Sequence, residues 1–413
     1  MMSQFIKKAV TAVGFFICIF AMGFNNIKNN YQEFEDSITG YFSSNPEDRT
    51  SLEDYFVQVN DFMNENTPYR DSFFESYGYL QRLMLRNEVN NFTVVKAKNN
   101  QLYYTYFTTE ANETSELTNR MDKFATAARE TGAQVLYLMT PDKYERGYTQ
   151  FETGMPYNYA NETADLFLAE LSDKGIDYID FRQLMTDQDM RIADAFYHTD
   201  HHWKIETAFW AFTQLTDTLV NDYGLEFNDQ EMATDINNYN KVEYKDSYLG
   251  SMGRSVGRLY TDPEDISIIY PKFATDYFVY EQSGDTEISR EGSFEEAILN
   301  KEILTSDDGI YAATSDKYFT YMDGNPAVVQ VLNNNNPEGA KVLFVKDSLI
   351  VPVASFFAQG VGEMTLVDPR YYGSSIDELM AEGDYDYVFV TFSPQNLIEE
   401  FFPFGQDEEE VAS

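Results

Sequence analysis

Val342-Leu343-Phe344-Val345-Lys346-Asp347-Ser348 is the stretch that decides the fold. Four apolar residues in a row have the length of a strand covered on both faces, and they end on three polar residues before a helical pattern resumes at about Pro352. The same unit recurs along the chain. Residues 133–139 (AQVLYLM) end at Pro141-Asp142-Lys143, 177–179 (DYI) at Asp180-Phe181-Arg182, 364–367 (MTLV) at Asp368-Pro369-Arg370, and 385–392 (YDYVFVTF) at Ser393-Pro394-Gln395-Asn396. Helical spacing is read at 117–129, 163–171, 204–222 and 376–380. Strands that alternate with helices imply an α/β fold with a mostly parallel sheet covered on both faces. In such sheets ligands sit beyond the carboxyl ends of the strands, where these polar residues bunch.

All three histidines lie within His198-Thr199-Asp200-His201-His202-Trp203. Any imidazole chemistry is therefore located here, and imidazole titrates near neutral pH. One reading is a hydrogen-bonded helix entry with no chemistry. The other is a base: Asp200 orients one nitrogen of His202 and leaves the other free to take a proton. An i, i+2 pair does not share a helix face, so this requires a turn. Asp200 is expected near the N-cap of the helix at 204–222, whose positive end favours neutral imidazole. A metal site, with His198, Asp200, His201 or His202 and a distant carboxylate, is the competing chemistry.

A base needs a nucleophile. Ser348 follows a buried strand and precedes a helix, where a parallel-sheet hydrolase exposes its serine hydroxyl close to backbone N–H groups. Ser348, His202 and Asp200 together complete the inventory for acyl transfer. A general base contributes roughly 10²–10⁴ in rate, and an oxyanion donor a similar factor.

The 413 residues carry 69 acidic and 29 basic side chains, a formal net charge of −40. Such a field repels nucleic acid and anionic lipid, and its ordinary source is a solvated surface. With 43% hydrophobic and 16% aromatic residues, the chain has material for a sizeable core. Lys7 and Lys8 precede an apolar run at 9–24 that reads as an export signal or an uncleaved anchor. The only cysteine, Cys18, falls in that run, so the remainder has neither a disulfide nor a thiolate metal site. The expected organisation is an anchor at 1–25, a linker at 26–50, and one domain at 51–413 with a β-rich lobe inserted at about 223–340. Residues 249–258 (LGSMGRSVGR) are glycine-rich but lack nucleotide-loop spacing. The sequons at Asn91, Asn112 and Asn161 read as chance matches in a chain rich in Asn and Thr.

Thr199-Asp200-His201-His202-Trp203 resembles the signature of the bacterial DHHW family. Asp347-Ser348, Asp368-Pro369-Arg370-Tyr371 and the YDYVFVTFSPQNL run are similar to that family's later motifs. The family is in turn similar to the SGNH-like acyltransferase domains of the alginate O-acetylation proteins. The resemblance covers roughly residues 50–400. It implies an SGNH-hydrolase-like three-layer α/β/α domain in circularly permuted order, with the Asp-x-His pair ahead of the serine. It implies Ser348 as nucleophile, His202 as base and Asp200 as its orienter, with Arg370, Asn396, His201 and Trp203 as substrate or oxyanion residues. Lys346 stands where the hydrolase block has glycine. The implied protein is a membrane-anchored extracytoplasmic O-acyltransferase or esterase without a cofactor, acting on a cell-envelope polysaccharide and supplied by a membrane-bound acyltransferase. The alternatives are a metal-dependent hydrolase and a non-catalytic carbohydrate-binding surface protein.

Overall fold

The computed structural model describes residues 2–43, 51–65, 67, 69–89, 93–105, 108–154, 159–284, 286–306 and 309–406. The chain divides into two compact units, Met1–Tyr79 and Leu80–Ser413.

The first unit is helical. Within its leading helix, Met2–Asn29, the 22 residues Lys8–Asn29 are long and apolar enough to cross a membrane. The polar composition after residue 25 suggests a loose stalk, yet Tyr31–Ser43 forms a helix. Phe34, Ile38 and Tyr41 recur at helical spacing, and the Tyr41 ring stacks at 4.2 Å on Tyr55 of the helix Leu52–Glu65.

The largest sheet of the second unit has eight strands, numbered in chain order: β1 (Gln134–Met139), β2 (Asp177–Asp180), β3 (Tyr277–Ser283), β4 (Thr286–Gly292), β5 (Val328–Asn333), β6 (Lys341–Lys346), β7 (Glu363–Val367) and β8 (Tyr387–Thr391). Their order across the sheet is β2-β1-β8-β6-β7-β5-β3-β4. The pairings from β2 to β7 are parallel, and those from β7 through β5 and β3 to β4 are antiparallel. The stretch 223–340, expected as an inserted β-rich lobe, supplies three strands of this sheet and also a two-stranded antiparallel ladder of its own, Tyr239–Tyr248 with Glu264–Pro271. Backbone pairing places β3, β4 and β5 in the sheet, and Val279, Val329 and Val331 on these strands join its core.

The central strands are buried on both faces, which explains their continuous apolar runs. Val342 and Phe344 of β6 point into a core shared with the helices α3 (Ile205–Tyr223) and α5 (Val351–Phe357). Leu343 and Val345 point into a second core under α1 (Ser115–Glu130) and α2 (Ala160–Asp173). Strand alternation therefore makes three layers, with helices on both sides of the sheet. The short helix α4 (Ser251–Val256) lies in the glycine-rich stretch. Of the sequons, Asn112 is exposed, whereas Asn161 is buried with Nδ2 donating to the Tyr144 carbonyl at 2.9 Å; Asn91 lies outside the described residues.

Candidate active site

The parallel strands β1, β8, β6 and β7 bring Lys143, Ser393, Ser348 and Asp368 to one rim of the sheet. Asp347, one residue beyond β6, organises the turn. Its Oδ1 accepts the N–H of Leu349 at 3.1 Å, and its Oδ2 accepts the N–H of Ser393 and the Nδ2 of Asn396, both at 2.8 Å. Ser348 follows in a 3-10 turn that runs into α5, and it is partly exposed. The Leu349 N–H is occupied by the Asp347 cap. That of Ser348 has no hydrogen-bond partner among the described residues and is a candidate oxyanion donor.

The histidine segment folds as a tight turn. Asp200 Oδ1 accepts the backbone N–H of His202 at 2.9 Å and lies 2.5 Å from its Nδ1. On the other side of the ring, His202 Nε2 lies 2.7 Å from Ser348 Oγ, across 146 positions of chain. The carboxylate takes the Nδ1 hydrogen, so Nε2 is the acceptor that faces the hydroxyl. Asp200 is not the cap of the following helix, because α3 begins at Ile205 with Lys204 as its N-cap. Between Asp200 and the helix, Trp203 pairs with Phe196 in an antiparallel bridge, and the Lys204 N–H donates to the Ala195 carbonyl at 2.8 Å.

The turn is held from several directions. Glu264 accepts from the N–H groups of His198 (2.8 Å) and Thr199 (2.7 Å) and from Thr199 Oγ1 (2.6 Å). The buried amine of Lys143 donates to the carbonyls of His198 (3.0 Å) and Asp200 (2.8 Å). The glycine-rich stretch closes the remaining side. Ser251 N–H donates to Asp200 Oδ2 at 2.5 Å, and Gly250 N–H to Thr199 Oγ1 at 2.9 Å. A Cβ on Gly250 would overlap the Asp200 side chain, so only glycine lets this segment come so close. Burial pushes the Asp200 carboxyl up, but His202, His201 and the hydrogen bonds it accepts outweigh that and hold it well below the usual carboxylate range.

The other predicted residues lie around these two turns or apart from them. Trp203 is buried and donates from Nε1 to the Leu349 carbonyl at 3.0 Å, which makes it a bridge between the two turns. His201 is partly exposed, with Nδ1 at 3.1 Å from Ser251 Oγ, which also receives the Tyr104 hydroxyl at 3.1 Å. Burial, followed by the charge of His202, keeps it well below the ordinary histidine range. Arg370 grips Asp368 through Nε (3.0 Å) and Nη2 (2.8 Å) and lies 4.8 Å over the Phe401 ring. Lys346, in the glycine position, is buried and bonded to Asn325 Oδ1 at 2.8 Å and Asp368 Oδ2 at 3.3 Å. Asp180 and Arg182 pair with each other and line a separate cleft of about 280 Å³ with Asp142, Arg146 and Asp165.

This geometry connects a hydroxyl, an imidazole and a carboxylate in series. Residues 94–253 match the family of SGNH hydrolase-like domains of the acetyltransferase AlgX. The matched segment contains Asp200 and His202 but ends before Ser348. No curated protein matches the sequence. The fold is similar to that of Bacillus cereus PatB1, solved with a sulfonyl adduct, at a TM-score of 0.62 and 17% identity over 76% of this chain and 98% of that one. It is also similar to a DHHW family protein from Eubacterium siraeum, at a TM-score of 0.54 and 15% identity over 75% of this chain and 93% of that one. The SGNH-like architecture expected from the motifs is thus the fold of this chain.

Sequence reasoning missed Gly250, Ser251, Glu264 and Tyr318, whose ring stacks on the His202 imidazole with centroids 3.9 Å apart. Gly250 and Ser251 sit in a visible glycine-rich stretch whose spacing excludes a nucleotide loop. Nothing local distinguishes Glu264 among 69 acidic residues. Tyr318 lies in a segment of short 3-10 turns without periodicity.

Proposed function

We propose that this chain is a membrane-anchored extracytoplasmic O-acyltransferase that moves an acetyl group onto a cell-envelope polysaccharide. The observation that carries this reading is the unbroken contact from Asp200 through His202 to Ser348, with links of 2.5 Å and 2.7 Å. Ser348 Oγ attacks the acyl carbonyl while its proton passes to His202 Nε2. The tetrahedral intermediate then collapses, the bond to the leaving group breaks, and His202 returns the proton to that group. The acyl ester on Ser348 is next attacked by a sugar hydroxyl. His202 takes the hydroxyl's proton, and the ester passes to the sugar as Ser348 is reprotonated. Water in place of the sugar makes the same site an esterase.

The Ser348 N–H supports the oxyanion in this scheme, and the second amide hydrogen of Asn396 and the rim residue Arg370 hold the substrate. The span-length helix favours transfer over hydrolysis, because it keeps the site at the membrane where an acyl donor emerges. Acetyl-CoA is not available outside the membrane, so a membrane-bound acyltransferase delivers the acyl group. The family match to an acetyltransferase and the fold shared with PatB1 support this reading.

The direct test is intact-protein mass after incubation with nitrophenyl acetate. One acetyl group is expected on the wild type and none on Ser348→Ala. No adduct on a folded wild type defeats the proposal.

A further inference from the structure

Two rings lie 3.9 Å from the imidazole of His202: that of His201, tilted by 37°, and that of Tyr318, nearly parallel at 17°. Tyr318 is buried and comes from the 3-10 turn Lys317–Thr320. Asp316 caps this turn by accepting the Tyr318 N–H at 3.2 Å, and Arg254 Nη2 fixes Asp316 at 2.7 Å. Arg254 belongs to α4, whose first residue, Ser251, holds Asp200, so one short helix sets both the carboxylate and the tyrosine. The Tyr318 hydroxyl donates at 3.3 Å to the Leu349 carbonyl, the same atom that Trp203 holds. Burial, reinforced by Asp200, keeps the phenol's pKa well above its ordinary value. The ring is therefore neutral wherever imidazole titrates.

We infer that Tyr318 is a positioning residue of the acyl-transfer site: its ring face supports the imidazolium that forms on His202 when Ser348 loses its proton, and its hydroxyl fixes the serine turn. The inference rests on the proposed Ser-His-Asp chemistry. An aromatic face attracts a cation placed over it, and the attraction is strongest where water is excluded. A neutral imidazole gains little from the ring, and an imidazolium gains more. The contact therefore strengthens as the proton moves, which is the property that lowers a barrier. The other groups around the imidazole are Asp200 and His201 on its own turn, Lys143 on that turn's carbonyls, Ser348, and the Asp316–Arg254 pair behind the tyrosine. Changes confined to the ring at 318 leave all of them in place.

The test uses the full chain in detergent micelles with ¹³Cε1-labelled histidine. The three histidine signals are assigned with His198→Gln and His201→Gln. Tyr318→Phe keeps the ring and is expected to leave the His202 titration midpoint where it is. Tyr318→Leu is expected to lower it by roughly one pH unit. Phenylalanines of increasing fluorination at position 318 keep the shape and weaken the negative ring face, so the midpoint should fall step by step even if the leucine variant does not fold. The acid limb of Ser348 sulfonylation should move in parallel, while Tyr318→Phe slows labelling severalfold without moving it. A midpoint that ignores fluorination overturns the inference, and so does a phenylalanine variant that falls as far as leucine. A wild type that resists sulfonylation contradicts the catalytic proposal, and the titration still decides the role of the ring.

Discussion

Trp203 Nε1 donates to the carbonyl oxygen of Leu349 at 3.0 Å, joining the residue after the histidine to the residue after the serine. The two turns come from distant parts of the chain, so the 2.7 Å contact between His202 and Ser348 depends on such a tie. Trp203→Phe keeps most of the buried ring and removes the donor. Tyr318 still reaches the same carbonyl, so the stability loss should be only about 1 kcal/mol. Catalysis depends more steeply on placement, and kcat for nitrophenyl acetate should fall on the order of tenfold with KM little changed. A parallel rise in KM would show that the indole acts on substrate binding instead.

Gly250→Ala tests the glycine-rich stretch. The added methyl meets the Asp200 side chain, and either that residue or α4 must shift. Overpacking of this kind destabilises by roughly 1–3 kcal/mol. The expected result is a folded protein with a lowered melting temperature whose serine no longer labels. Full labelling would show that Asp200 tolerates displacement.

Lys143 predicts a pH effect on stability. Burial lowers its pKa from 10.5 to about 7, against the pull of Glu264 and Asp200. Between about 7 and 10.5 the unfolded chain therefore binds more protons at this site than the folded one, and stability rises with pH across that window. Below it both states are protonated and the burial penalty is present in full. The neutral amine keeps two hydrogens, enough for both carbonyls of the histidine turn. Wild type should thus gain stability relative to Lys143→Met as pH rises from 7 towards 10, as followed by thermal unfolding. Parallel curves for the two proteins would contradict this.

Metal chelation separates two chemistries. One ligand atom from each of Asp200, His201 and His202 lies within 4.8 Å of the others, the spacing a metal would use. Both nitrogens of His202 are engaged here, with Asp200 at 2.5 Å and Ser348 at 2.7 Å. Turnover and labelling should therefore survive exhaustive dialysis against EDTA. Loss on chelation that zinc restores would favour the metal-dependent hydrolase.

Much of this was legible in the sequence because the central strands are buried on both faces. Their apolar runs stand out, and the polar residues that end them mark the rim. Asp200, His202 and Ser348 could be paired because imidazole is so scarce in this chain. A β-rich stretch was expected at 223–340, but the membership of β3, β4 and β5 in the central sheet escaped, since Glu281, Gln282, Glu287, Glu291 and Gln330 interrupt their apolar pattern. Asp200 was expected near the N-cap and lies four residues ahead of the actual cap, Lys204, because an Asx turn and a helix N-cap share the same local pattern. Tyr318 and Glu264 act across long sequence separations, which no local spacing encodes.

The central claim is that Ser348 is a nucleophile activated by His202. A sulfonyl fluoride probe, read by peptide mass on the full chain, tests it most directly. The account predicts one adduct, on Ser348, formed in the wild type, abolished in Ser348→Ala and slowed at least a hundredfold in His202→Ala, in line with the roughly 10²–10⁴ contributed by a general base. A folded wild type that takes no adduct, or a His202→Ala protein that labels as fast as the wild type, would contradict it.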